Sequence, residues 1–253
     1  MAEHFDSLRT VQHGNVGEIV LNRPHVRNAL GQPERRELFA ALRSTVDSGS
    51  RAIVLTGAGS IFCAGGDIRA MRPEGSAERL AEISALVKLL SDIPVAVVVA
   101  VEGGAFGLGL ALTALGDVVV AGESARFSAS FARLGLTADS GLSWSLPRRI
   151  GSARTTRMLV TAEIIDASTA TEWGLVDHRA PDGSARDRAL TLATEISEMS
   201  PPSIAATRRL MARPPADLGS ALDAEAREQT ELLATPDFTA ARDAFLASRR
   251  QST

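Results

Sequence analysis

The sequence predicts an α/β fold in which a core of strands and helices is followed by a helical tail. Three observations predict it. Apolar runs and amphipathic helical patterns alternate up to about Leu136. After Asp139 the patterns are helical, apart from a short Leu175-Val176-Asp177. Two strand-to-helix transitions are rich in glycine. One runs from Gly57-Ala58-Gly59 into Phe62-Cys63-Ala64-Gly65-Gly66-Asp67-Ile68, and the other is Glu102-Gly103-Gly104-Ala105-Phe106-Gly107-Leu108-Gly109.

Taken in order, Phe5–Gln12 and Gly17–Asn22 alternate apolar and polar residues around His13-Gly14-Asn15, which predicts a hairpin. Asn22-Arg23-Pro24 ends the second strand, because proline cannot donate to a ladder. Pro33 opens a helix with Glu34 in its first turn and Gly49 just past its end. Leu38, Leu42 and Val46 give it one apolar face. Ala52–Thr56 is a strand, Glu78–Leu90 a helix stopped before Pro94, and Val95–Val101 a strand without alternation, hence buried on both faces. Helix Leu108–Leu115 and strand Val118–Ala121 follow. The tail then offers helices over Ser152–Thr161, Ser168–Trp173, Ala185–Met199, Ile204–Met211, Leu218–Ala234 and Thr239–Arg249, punctuated by Pro201-Pro202 and Pro214-Pro215.

The totals narrow the function. The 253 residues are 45% hydrophobic, enough for one substantial core. A formal charge of −3 argues against a broad nucleic-acid face. The single cysteine, Cys63, excludes an internal disulfide and fits a reducing compartment. Met1 to Asp6 show no basic segment leading into an apolar one, so no secretory signal is expected. The longest apolar run, Ile93 to Val101, falls well short of the ~20 residues that span a membrane. A cytoplasmic protein with no membrane or nucleic-acid partner is expected.

Each glycine-rich turn leaves backbone N–H groups unpaired and open to close approach by a ligand oxygen. Two such turns are what an oxyanion hole requires. The motifs around them resemble those of the enoyl-CoA hydratase/isomerase (crotonase) family over nearly the whole chain. They are Leu21-Asn22-Arg23-Pro24 with Asn28-Ala29-Leu30, Val54 to Gly59 leading into Phe62–Ile68, and Gly103 to Gly109. Further on come Asp117 to Ala121, Leu146-Pro147-Arg148-Arg149-Ile150-Gly151 and Glu172-Trp173-Gly174-Leu175-Val176. The resemblance implies a crotonase (ClpP/crotonase-like) spiral of ββα turns over residues 1–195 that binds acyl-CoA and carries the chemistry. It also implies a helical C-terminal trimerisation region over 196–253, in trimers often paired into hexamers. The implied substrate is an acyl-CoA thioester, with coenzyme A bound as part of it and no other cofactor or metal required.

By the same resemblance the thioester oxygen is held by the N–H groups of Gly66 and Leu108. The coenzyme lies along Arg27, Ala29, Ala64, Gly65, Asp67, Ile68 and Gly104, and Arg27 meets a phosphate or is an ordinary solvated arginine. Hydratases of the family use two glutamates, and the matching positions here are Ala111 and Phe131. Neither can orient water or deliver a proton. Asp139, in Leu136-Thr137-Ala138-Asp139-Ser140-Gly141, matches the position at which dienoyl-CoA isomerases and the ring-opening isomerases of the phenylacetate pathway place an aspartate. One carboxylate suffices for a 1,3-proton shift. Phe106, Ala111, Phe131, Leu142 and Trp144 are expected to line an apolar substrate pocket.

The alternatives are a hydratase using other acids, a nucleophilic role for Asp139, and a degenerate acyl-CoA binder. Asp139 also has a purely structural reading, as the N-cap of a helix beginning near Ser140. Other motifs carry less. A dinucleotide fingerprint at Gly57-Ala58-Gly59 would need a glycine at Phe62. His4, His13, His25 and His178 lack metal-ligand spacing, and no G-x-S-x-G elbow exists. Cys63 reads as a small packing residue. Arg208-Arg209 and Arg249-Arg250 read as solvated pairs, with Arg249 a further candidate for phosphate contact.

Overall fold

A computed structural model describes residues 5–250, apart from the side chains of Ser248 and Arg250. The expectations that fall on Met1 to His4, on the Arg250 side chain and on residues 251–253 lie outside them. The chain begins with the expected hairpin, β1 (Leu8–His13) and β2 (Val16–Leu21), then α1 (Gln32–Asp47), β3 (Ala52–Gly57), α2 (Ser76–Asp92) and β4 (Ala96–Val101). The short β5 (Gly104–Phe106) leads into α3 (Leu108–Leu115), β6 (Val118–Gly122) and β7 (Arg126–Ser128). Next come α4 (Leu142–Ile150), α5 (Ser152–Thr161), β8 (Ile165–Asp166), α6 (Ala167–Trp173) and β9 (His178–Ala180). Helices α7 (Ala185–Ser197), α8 (Pro201–Ala212), α9 (Leu218–Leu233) and α10 (Pro236–Arg250) complete it.

Six strands form one sheet in the order β1-β2-β3-β4-β6-β9, parallel except for β1. A second, three-stranded sheet has the order β5-β7-β8. Parallel strands need both faces covered, and β4 shows how this is met. Val97, Val99 and Val101 enter the main core, while Val98 and Ala100 enter a second cluster with Ala185, Ala189 and Ala193 of α7. The small residues at every fourth position let α7 lie close against the sheet.

Several expectations are corrected. The short strand near Leu175–Asp177 forms instead at His178–Ala180, and the tail contains a further strand at Ile165–Asp166. A two-residue strand carries too little periodicity to be seen. Helix α8 starts at Pro201 rather than Ile204, since proline is well suited to a first helical turn. Arg208 is not solvated. It is buried, and it donates to the carbonyls of Leu90 at 2.7 Å and Ile93 at 2.9 Å, at the C-terminal end of α2. It also pairs with Asp117, whose carboxylate accepts the Val97 N–H at 2.7 Å. Burial pushes the Arg208 guanidinium down to about 10. Arg209 does face solvent, paired with Glu228 at 2.5 Å, and Arg249 is exposed and stacks on Phe245.

Helix α7 runs across residues 195 and 196, and Arg208 fastens α8 to the core. By contrast α9 buries none of its residues and carries the exposed Leu218, Leu222 and Leu233, while α10 exposes Phe245 and Leu246.

Candidate active site

The first glycine turn is built against the segment after β2. Leu30 N–H donates to the Gly65 carbonyl at 2.8 Å, and Asp67 N–H donates to the Leu30 carbonyl at 3.4 Å. This bridge uses the Gly65 carbonyl and the Asp67 N–H, and the Gly66 N–H between them has no protein acceptor among the described residues. Ala64 N–H donates to the Arg27 carbonyl at 2.9 Å, so Arg27, Ala29, Ala64, Gly65, Asp67 and Ile68 are brought together along one edge. Arg27 and Ile68 are exposed there. Asp67 is tied to Arg69, whose Nε lies 3.0 Å from it, and that hydrogen bond holds the Asp67 carboxyl below its ordinary range.

Asn28 is a residue whose role the motif alone did not reveal. It is buried and left-handed, with φ of 54°. Its amide donates to the Ala58 and Ile61 carbonyls at 2.9 and 2.7 Å, and its oxygen accepts the Arg23 N–H at 2.8 Å. All its functional atoms are spent on fixing the turn that leads to Gly66. Asparagine tolerates this backbone region better than most residues.

The second turn packs directly on the first. Cys63 N–H donates to the Gly104 carbonyl at 3.3 Å and Phe106 N–H donates to the Cys63 carbonyl at 3.0 Å. Gly65 has φ of 103°, and a Cβ built on it would lie 2.9 Å from the Phe106 oxygen and 3.5 Å from the Leu108 nitrogen. Only glycine fits between the turns at this point. Leu108 is the first residue of α3, so its N–H has no carbonyl one turn earlier to bond, and no protein acceptor is found for it among the described residues. Two unpaired amides on touching turns, one at a helix N-terminus, form a donor pair suited to an oxygen that gains negative charge. Cys63 is fully buried between them, and burial pushes its thiol up to about 12. It is a packing residue and not a nucleophile.

Asp139 lies just before α4, which packs on α3, the helix begun by Leu108. Its carboxylate is partly buried, accepts a hydrogen bond from Ser140 Oγ at 2.6 Å, and has no ion-pair partner among the described residues. The N-cap reading is corrected. Helix α4 begins at Leu142, its N-cap is Gly141 with φ of 71°, and no side chain caps it.

The apolar residues divide. Phe131 meets the second turn, its Cζ 3.9 Å from the Cβ position of Gly107, and Phe106 folds over Gly104 with a ring carbon 2.9 Å from that residue's Cβ position. Ala111 and Leu142 are fully buried in the main core and back the site. Trp144 stacks on Arg148 at 3.9 Å and lines a groove of about 340 Å³ with Val87, Leu115, Gly141 and Ala212, to which neither Gly66 nor Leu108 contributes. Met71, which the sequence did not single out, has its Cε 2.9 Å from the Cβ position of Gly66. No group of three or more metal-ligating side chains occurs among the described residues, and no helix there is long and apolar enough to cross a membrane.

The fold sets two glycine-rich turns against each other, each with a backbone N–H that has no protein acceptor among the described residues. The family model for enoyl-CoA hydratase/isomerase matches residues 11–252. A Rhodobacter capsulatus protein named "Probable enoyl-CoA hydratase" is 37% identical, with 91% of each chain covered. The 1,2-epoxyphenylacetyl-CoA isomerase of Escherichia coli is 35% identical, with 71% of each covered. The crystal structure of an enoyl-CoA hydratase from Polaromonas sp. JS666 superposes with a TM-score of 0.90 at 30% identity, covering 95% of this chain and 97% of that one. The chain therefore belongs to the enoyl-CoA hydratase/isomerase family and has the crotonase fold.

Proposed function

We propose that the protein moves a carbon–carbon double bond in an enoyl-CoA, with Asp139 as the single proton shuttle. The observation that carries this reading is an acid that is present where two are missing. Asp139 offers a carboxylate without a cation partner, while the hydratase glutamate positions hold the buried Ala111 and the ring of Phe131. In the proposed step Asp139 removes a proton from C2 of a 3-enoyl thioester. The electron pair moves toward the thioester oxygen, where the Gly66 and Leu108 N–H groups stabilise the dienolate. Asp139 then returns the proton to C4, giving the 2-enoyl thioester with no net change in atoms or charge. Each donor of this kind contributes ~2.7–4 kcal/mol to lowering such a barrier. Coenzyme A enters with the substrate along the Arg27–Ile68 edge, and the chemistry needs no other cofactor. The exposed apolar residues of α9 and α10 support assembly as a homotrimer or a dimer of trimers, and we place the enzyme in the cytoplasm.

Hydration is the second reading, favoured by the name of the Rhodobacter capsulatus relative. The test is turnover of wild type and Asp139→Asn with a 3-enoyl-CoA, and with a 2-enoyl-CoA in water and in deuterium oxide. Isomerisation and deuterium exchange at C2 and C4 should fall by about 10²–10⁴ in the variant. Hydration that survives the substitution would sink the shuttle mechanism.

A further inference from the structure

Ser140 is held in an uncommon backbone conformation beside the proposed proton shuttle. It is buried, at 6% exposure, and its φ is 57°. Serine rarely adopts this left-handed region, and glycine would occupy it more easily. The chain does place glycine at the next position, where Gly141 has φ of 71°. Two consecutive left-handed residues thus precede α4, and only the second is relieved of its side chain. A strained residue that is kept next to a reactive group points to a role for the side chain.

The hydroxyl has one partner among the described residues. Ser140 Oγ donates to Asp139 Oδ1 at 2.6 Å, a short distance typical of a hydrogen bond to a charged acceptor. Asp139 Oδ2 has no hydrogen-bond partner among the described residues. One carboxylate oxygen is therefore anchored and the other is left to exchange a proton. A shuttle that takes a proton from one carbon and returns it to another two atoms away must hold its orientation throughout the dienolate's lifetime. A single anchored oxygen provides this without blocking the reactive one.

We propose that Ser140 is a positioning residue for the reaction, holding Asp139 through Oδ1 so that Oδ2 faces the reacting carbons. The proposal rests on the reading of Asp139 as proton shuttle and extends it by naming what orients that group. Ser140 touches no reacting atom itself.

The experiment compares wild type, Ser140→Gly, Asp139→Asn and the double variant with a 3-enoyl-CoA, measuring kcat, KM, deuterium exchange and Tm. Glycine removes the hydroxyl and also relieves the backbone, so Ser140→Gly should keep or raise Tm. Its kcat and exchange rate should nevertheless fall by about tenfold, the scale of one hydrogen bond to a charged group, with KM unchanged. In the Asp139→Asn background the same substitution should cause no further loss, since there is no shuttle left to orient. A merely structural serine would give unchanged kcat in the glycine variant, or equal losses in both backgrounds, and either result overturns the proposal. If Asp139→Asn retains full isomerisation, the shuttle reading itself fails and the positioning role falls with it. Ser140→Ala, which removes the hydroxyl but keeps a Cβ at positive φ, should match the glycine variant in kcat while melting lower. A kcat near wild type in either variant would count against the hydroxyl.

Discussion

A Cβ built on Gly109 would lie 2.5 Å from the backbone oxygen of Cys63. The two donor turns therefore touch where α3 begins, and the absence of a side chain at Gly109 is what lets them. Because the obstructing atom is backbone, Gly109→Ala cannot be absorbed by a rotamer change. It should push Leu108 away from Gly66 and cost about 10²–10³ in kcat, the loss expected for one oxyanion donor, together with a lower Tm. Steady-state kinetics and a thermal melt check both. A fully active alanine variant would show that the turns need not touch.

The two neighbouring arginines of α8 should behave very differently. Arg208→Met leaves the Leu90 and Ile93 carbonyls without their buried donor, while the exposed Asp117 carboxylate keeps the Val97 N–H. We expect about 3 kcal/mol of lost stability from the two unsatisfied carbonyls. Arg209→Met removes an exposed pair with Glu228 and should cost under about 1 kcal/mol. Urea unfolding of the two variants measures the contrast, and equal losses would contradict the buried anchor.

Glu18 predicts an acid-sensitive contact between the sheet and α7. Burial raises its carboxyl pKa. Hydrogen bonds and charge from Arg186, whose Nε lies at 2.5 Å, and from His13 at 2.8 Å outweigh this and set it below its ordinary value of 4.5. A carboxyl depressed in the folded state stabilises the fold above the ordinary value, and that contribution is lost as pH falls through the folded one. Tm measured against pH should decline below about 4.5 in wild type. Glu18→Gln should start lower at neutral pH and decline less steeply. Parallel curves would remove Glu18 from the acid response.

The buried thiol gives a simple probe of the site's integrity. With its pKa pushed up to about 12 and no exposed surface, Cys63 should resist thiol reagents at neutral pH in the folded protein. Its labelling rate should track unfolding as urea is raised. Rapid labelling of the native state would mean that the donor turns open.

By itself the sequence determined the longer elements and the two glycine-rich turns, but not the short strands β5, β7 and β8 or the place of β9. Helix α3, from Leu108 to Leu115, lies at its expected bounds, and β4 is buried on both faces as its unbroken apolar run implies. These features are local. Periodicity, proline and glycine act within a few residues of themselves, so they can be read along the chain. The family motifs added Gly66, Leu108 and Asp139 by position. Only the tertiary structure decided which side chains meet. It placed Arg208 inside the protein although its neighbour Arg209 is exposed, and it put Trp144 in a groove with Gly141, Leu115 and Ala212. It spent Asn28 on anchoring a turn that begins thirty residues later at Ala58, and it set Ser140 at positive φ with its hydroxyl on Asp139. The reason is physical. A buried polar group must find its partner wherever the chain brings one. The backbone conformation at Ser140 depends on what the loop and α4 pack against, not on the residue itself, and neither leaves a signal in the order of amino acids.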